Sequence, residues 1–133
     1  NDLFAEAGRK PQDTVSAMRS LIKVTKDLPT AQGSSVPNTS PPKVMIVSPP
    51  NCLPLSSVTG EGFPELDELA RWLPNLAKLY GELAIEQDTY FADAAKFCDP
   101  DPVDGLHLDV KNTKKLGLGI AETLALKGFA DFC

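Results

Sequence analysis

The sequence predicts an α/β fold built on a parallel sheet, and three observations lead there. Helical and strand patterns alternate as helix, strand, helix, strand, helix, the order in which right-handed crossovers lay helices over parallel strands. The run KVMIVSPP, residues 43–50, is short, unbroken in apolar character and closed by two prolines, as expected of a strand buried on both faces. Residues 64–87, PELDELARWLPNLAKLYGELAIEQ, keep helical periodicity long enough to span from one strand to the next.

Taken in order, the first element is a helix in residues 11–29, where Val15, Met18, Leu21, Ile22 and Leu28 recur near helical spacing and Pro11 suits a first turn. Residues 30–42, TAQGSSVPNTSPP, have no periodicity and are rich in Gly, Ser and Pro, so a long surface loop is expected there. The strand of residues 43–50 follows. In the long helix after it, Leu66, Leu69, Ala70, Leu73, Leu76, Ala77, Tyr80, Leu83 and Ala84 form one apolar stripe. Pro74 lies inside that stripe, where its missing N–H predicts a kink or a fresh start. TYFADA, residues 89–94, is the second strand. Asn112 is expected to cap a last helix over residues 113–127, with Gly117 and Gly119 permitting close packing on the sheet. The Gly-Leu-Gly there lacks the third glycine and the strand context of a nucleotide fingerprint, so it reads as packing.

The chain has 133 residues, 42% hydrophobic and 23% charged, the composition of one globular domain. A net charge of −5, with 13 Lys and Arg scattered along the chain, argues against a nucleic-acid partner. No apolar stretch reaches the ~20 residues of a transmembrane span. No secretion signal is visible at Asn1, which favours a cytoplasmic location. Cys52, Cys98 and Cys133 form no CxxC pair and are too few for a disulfide scaffold; they read as free thiols, or as one pair and one free thiol.

In open parallel sheets the functional loops leave the carboxyl ends of strands. That places residues 48–57, SPPNCLPLSS, and residues 98–107, CDPDPVDGLH, on the same rim. The second stretch contains His107, the only histidine. A carboxylate three residues before it, with Gly105 between to bend the chain, can accept the Nδ1 hydrogen and leave Nε2 outward as a base. Taken alone, an Asp-Gly turn with a solvent-exposed histidine fits the same letters. His107 with Asp99, Asp101 and Asp109 makes a carboxylate-rich set with no second imidazole, a poor transition-metal site, and no calcium-loop signature is present.

Read together, Asn1-Asp2-Leu3, KVMIVSPP, LAKLYGELAIEQDTYFADA and DGLHLD at 104–109 resemble, in order and spacing, the later blocks of the SGNH hydrolases, the GDSL-like esterase/lipase family. The resemblance runs over nearly the whole chain, and its most specific element is Asp104 to His107. It implies a three-layer α/β/α flavodoxin-like fold with a parallel sheet, of which residues 1–133 supply the later strands and helices as the carboxyl-terminal portion of a single domain. It also implies a carboxylic ester hydrolase with no cofactor and no metal. His107 would be the general base, Asp104 its orienting acid, and Asn1 the amide donor to the oxyanion, a contact worth on the order of 3 kcal/mol in the transition state.

The family's Gly-Asp-Ser block and the glycine block that completes the oxyanion hole have no counterpart in the chain. Ser48, Ser56 and Ser57 do not sit in such a block and read as strand-end and loop hydroxyls. Leu53, Leu55 and Val58 fit either an acyl-pocket border or ordinary loop anchors. Two parallel strands with buried character also need neighbours that the chain itself does not offer. The expected partner is therefore the amino-terminal portion of the same hydrolase, carrying the serine, together with a small ester substrate; a homo-oligomer is compatible with this. The alternatives are a non-catalytic α/β interaction module and an acyltransferase on the same scaffold.

Overall fold

The computed structural model describes residues 10–27 and 42–126. Its elements are α1 (Pro11–Asp27), β1 (Met45–Ser48), α2 (Leu66–Glu86), β2 (Tyr90–Asp93) and α3 (Val110–Leu126), with single 3-10 turns at Leu55–Ser57 and Ala94–Lys96. The expected loop of residues 30–42 lies, but for Pro42, outside the described residues.

The start of α1 follows from local chemistry. Pro11 needs no N–H at the first helical position, and the Asp13 carboxylate reaches back to accept the Lys10 N–H at 2.9 Å, one half of a capping box. Thr14, Val15 and Ile22 turn inward, and Val15 and Ile22 meet the core stripe of α2. Midway along α1, Arg19 grips Glu86 through two bonds of 3.1 and 2.8 Å. Lys26 donates to the carbonyls of Gln87 and Asp88, tying the end of α1 to the end of α2.

β1 and β2 pair in parallel, with Met45 opposite Tyr90 and Ser48 opposite Asp93. α2 is the crossover between them and packs on both strands. Its buried side chains, Leu66, Leu69, Leu73, Leu76, Ala77, Tyr80, Leu83 and Ala84, are those of the apolar stripe apart from Ala70, which is only partly buried. The helix runs through Pro74 as one element, so of the expected kink or fresh start the fresh start does not occur. Loss of one backbone bond in a helix of 21 residues is outweighed by an uninterrupted buried face. Leu66, Leu76, Leu83 and Ile46 form the deepest part of the core.

The end of α2 is a Schellman motif: Thr89 N–H donates to the Ala84 carbonyl at 2.9 Å and Asp88 N–H to Ile85 at 3.3 Å. Asp88 occupies the left-handed position at φ 47°, where glycine is the usual residue. Tyr90 N–H then donates to Val44 O at 2.9 Å and sets the phase of the ladder. Ile46 and Ser48 therefore present their backbone groups to β2, while Met45 and Val47 present theirs to the opposite edge of β1. Among the described residues no strand pairs with that edge.

At the carboxyl ends of the strands, buried Ser48 donates from Oγ to Asp93 Oδ1 at 3.1 Å and accepts from Ala94 N–H at 3.2 Å. The hydroxyl thus joins the two strand ends.

α3 begins three residues before the expected helix, and its cap is Asp109 rather than Asn112. Asp109 Oδ1 accepts the Asn112 N–H at 2.6 Å, and its carbonyl accepts the Thr113 N–H at 2.9 Å. Asp is as strong a cap as Asn, and the earlier start adds a turn. Asn112 is instead buried, with its Oδ1 receiving the Asp99 N–H at 3.2 Å. Of the two glycines, Gly119 is the contact: a Cβ there would lie 2.3 Å from Phe97 Cγ, so a ring after β2 packs on the helix backbone. Gly117 has open space around it.

Candidate active site

Residues 101–107 form a closed loop whose ends meet. Asp101 N–H donates to the His107 carbonyl at 2.7 Å, and Gly105 N–H donates to the Asp101 carbonyl at 2.8 Å. Asp101 Oδ1 accepts the Val103 N–H at 2.9 Å. The turn passes through Gly105 at φ 73°, a left-handed conformation in which other L-residues are strained. The carboxylate of Asp104 sits inside this turn. Its Oδ1 accepts the backbone N–H groups of Leu106 at 2.9 Å and His107 at 3.0 Å. Its Oδ2 lies 2.7 Å from His107 Nδ1.

These contacts settle the electrostatics of the pair. The Leu106 N–H, the imidazole and the His107 N–H favour the ionised carboxylate, in that order, and hold Asp104 down at about 2 against an ordinary 3.8. An ionised carboxylate only accepts, so Nδ1 carries the hydrogen and donates it. In the neutral ring the lone pair then falls on Nε2. The His107 side chain is 69% exposed and Asp104 28%, so the pair stands at the surface of the described residues with its basic nitrogen accessible.

The rim predicted from the strand ends is joined by hydrogen bonds. Leu53 N–H donates to Gly105 O at 2.8 Å, Thr59 N–H to Pro102 O at 2.8 Å, and Gly60 N–H to Val103 O at 2.9 Å. Thr59 Oγ1 adds a bond to Pro102 O at 3.0 Å. A Cβ on Gly60 would come within 2.7 Å of Val103 O, so this approach requires the glycine. Leu53 and Val58 pack on Gly105 as anchors of the histidine loop, and Leu55 is exposed. Behind the pair, the ring of Phe63 meets the imidazole edge to face, with centroids 6.0 Å apart and planes at 68°.

The other expected residues fall as follows. Asn1 and Cys133 lie outside the described residues. Ser48 is spent on the sheet, and Ser56 and Ser57 are exposed on the 3-10 turn. Asp101 and Asp109 are engaged in their own turns, and Asp99 sits 3.8 Å from Lys115. Cys52 and Cys98 are free and buried; burial, as the largest influence, pushes both thiols up, away from the nucleophilic thiolate. Sequence reasoning missed Phe63 and Thr59. Each reaches the histidine loop from more than forty positions away, and no local pattern signals such a contact.

No family model and no curated protein matches the chain. Solved structures do. An aryl esterase of M. smegmatis shares 29% identity with a TM-score of 0.75, covering 94% of this chain and 56% of its own. A protein of Agrobacterium tumefaciens provisionally described as an arylesterase shares 30% with a TM-score of 0.72, over 96% and 56%. A carbohydrate acetylesterase from Sinorhizobium meliloti shares 25% with a TM-score of 0.74, over 95% and 56%. The chain thus spans just over half the length of the structures it is similar to.

Proposed function

Because the chain belongs to the SGNH hydrolase family, we propose that residues 1–133 are the carboxyl-terminal portion of one hydrolase domain acting on carboxylic esters through a Ser-His-Asp triad. The observation that carries this reading is the 2.7 Å contact from His107 Nδ1 to a carboxylate that stays ionised. It leaves Nε2 as the proton acceptor that a serine nucleophile needs. Ester hydrolases among the similar structures support the reaction class.

The serine comes from the portion of the protein that this chain does not include. As its Oγ attacks the acyl carbon, His107 takes the proton and Asp104 stabilises the imidazolium; the ring then returns the proton to the leaving alcohol. In the second half-reaction His107 draws a proton from water, which attacks the acyl-serine, and returns it to the serine Oγ as the acyl carbon–Oγ bond breaks and the acid is released. Asn1 donates its side-chain amide to the oxyanion. The open edge of β1 is where the remaining part of the sheet pairs.

The test is labelling with a fluorophosphonate probe in the assembled hydrolase. Labelling is expected on a serine outside this chain and lost in His107→Ala. A folded assembly that takes up no probe supports a non-catalytic module instead. Ester product formed from an added alcohol acceptor in preference to acid indicates acyl transfer.

A further inference from the structure

We propose that Phe63 is a positioning residue for His107: its ring, held by the core, fixes the plane of the imidazole and so the direction of Nε2. The inference rests on the assignment of His107 as the base.

The histidine side chain is 69% exposed, so few protein contacts orient it. Asp104 is one of them, but it belongs to the same loop and moves with it. It fixes the ring relative to residues 101–107 and says nothing about where that loop points relative to the sheet. Phe63 belongs to a different element. Its carbonyl accepts the Leu66 N–H at 3.1 Å, at the threshold of α2. Its side chain packs against the cluster that includes Leu66 and Leu69. The edge-to-face contact at 6.0 Å therefore references the imidazole to the body of the fold. Rotation about the Cβ–Cγ bond that breaks the Asp104 bond also changes the interplanar angle of this contact and so gives up its edge-to-face geometry.

Aromatic contacts of this geometry shift a two-state equilibrium about twofold to tenfold. The two states are the ring bonded to Asp104, with the proton on Nδ1, and the ring swung away, with the proton distributed by solvent. His107 is the only histidine of residues 1–133, so labelling these residues with ¹⁵N-histidine within the assembled, otherwise unlabelled hydrolase reports these states from one residue. In the unsubstituted chain, nuclear Overhauser contacts between the Phe63 and His107 rings and a dominant Nδ1–H form are expected. Phe63→Leu retains apolar bulk without a ring and should raise the swung-out fraction about twofold to tenfold. Phe63→Tyr retains the ring and should restore the original spectrum.

Three results overturn the proposal: no ring-to-ring contact in the unsubstituted chain, an unchanged proton distribution in Phe63→Leu, or an equal change in Phe63→Tyr. The first is read without any variant, so a substitution that fails to fold does not remove the test. The spectrum is independent of turnover. Absent fluorophosphonate labelling with an intact ring contact would refute the hydrolase reading alone.

Discussion

Asp104→Asn separates charge from shape at the histidine loop. Asp104 Oδ1 accepts two backbone N–H groups, at 2.9 and 3.0 Å, so the amide oxygen of an asparagine must take that position. The opposite amide orientation forfeits both bonds, at about 1 kcal/mol each, roughly a 30-fold preference. The NH₂ group then occupies the place of Oδ2, 2.7 Å from His107 Nδ1. Two donors cannot face each other, so Nδ1 becomes the acceptor and the ring proton moves to Nε2. A protonated Nε2 cannot take the serine's hydrogen. The tautomer alone predicts a fall of about 30-fold in the rate of fluorophosphonate labelling, and loss of the charge that stabilises the imidazolium extends it toward about 10⁴-fold. The assay is the pseudo-first-order labelling rate of the assembled hydrolase, paired with the ¹⁵N spectrum of His107. Labelling slowed by less than tenfold, or an Nδ1–H signal that survives the substitution, would refute the reasoning.

Three further outcomes follow from the geometry. The folded-state pKa of Asp104 lies below its ordinary 3.8, so its stabilising contribution is complete above that value and lost as pH falls toward about 2. The Asp104 carboxyl carbon should titrate with a midpoint near 2 by NMR, and a midpoint near 4 would show the three contacts to be absent in solution. Gly105→Ala must adopt φ 73° with a Cβ 2.7 Å from Val58 Cγ2. It should cost about 2–3 kcal/mol, read from the denaturant midpoint, and should perturb the His107 spectrum. Asp88→Gly relieves a left-handed aspartate at φ 47° far from the histidine, and a stabilisation of up to about 1 kcal/mol is expected in the same denaturation assay.

The sequence made the fold legible wherever one interaction dominates locally. The 3.6-residue stripe of α2 contains all eight of its buried side chains and adds only the partly buried Ala70, because burial of that face decides the helix. The short apolar runs gave both strands for the same reason. Errors appeared where two local preferences compete. Pro74 disfavours helix continuation, yet the packed stripe prevails. Asn112 and Asp109 are both good caps, and the choice between them depended on the Asp99 N–H, thirteen positions from Asn112.

The Asp104–His107 pair was readable because three residues and a glycine suffice to build it. Phe63, Thr59 and Gly60 were not, since their relation to the histidine arises only when the crossover brings the β1–α2 connection beside the loop after β2.

Leu53, Thr59 and Gly60 hold the histidine loop through main-chain N–H groups, and a main-chain bond does not depend on which side chain its residue carries. Apart from the tight approach at Gly60 and the Val58 side chain packed on Gly105, the segment between these attachment points can therefore vary its side chains without misaiming the imidazole. An engineer randomising Pro54 to Ser57 would be rebuilding the entrance to the site on foundations that remain in place.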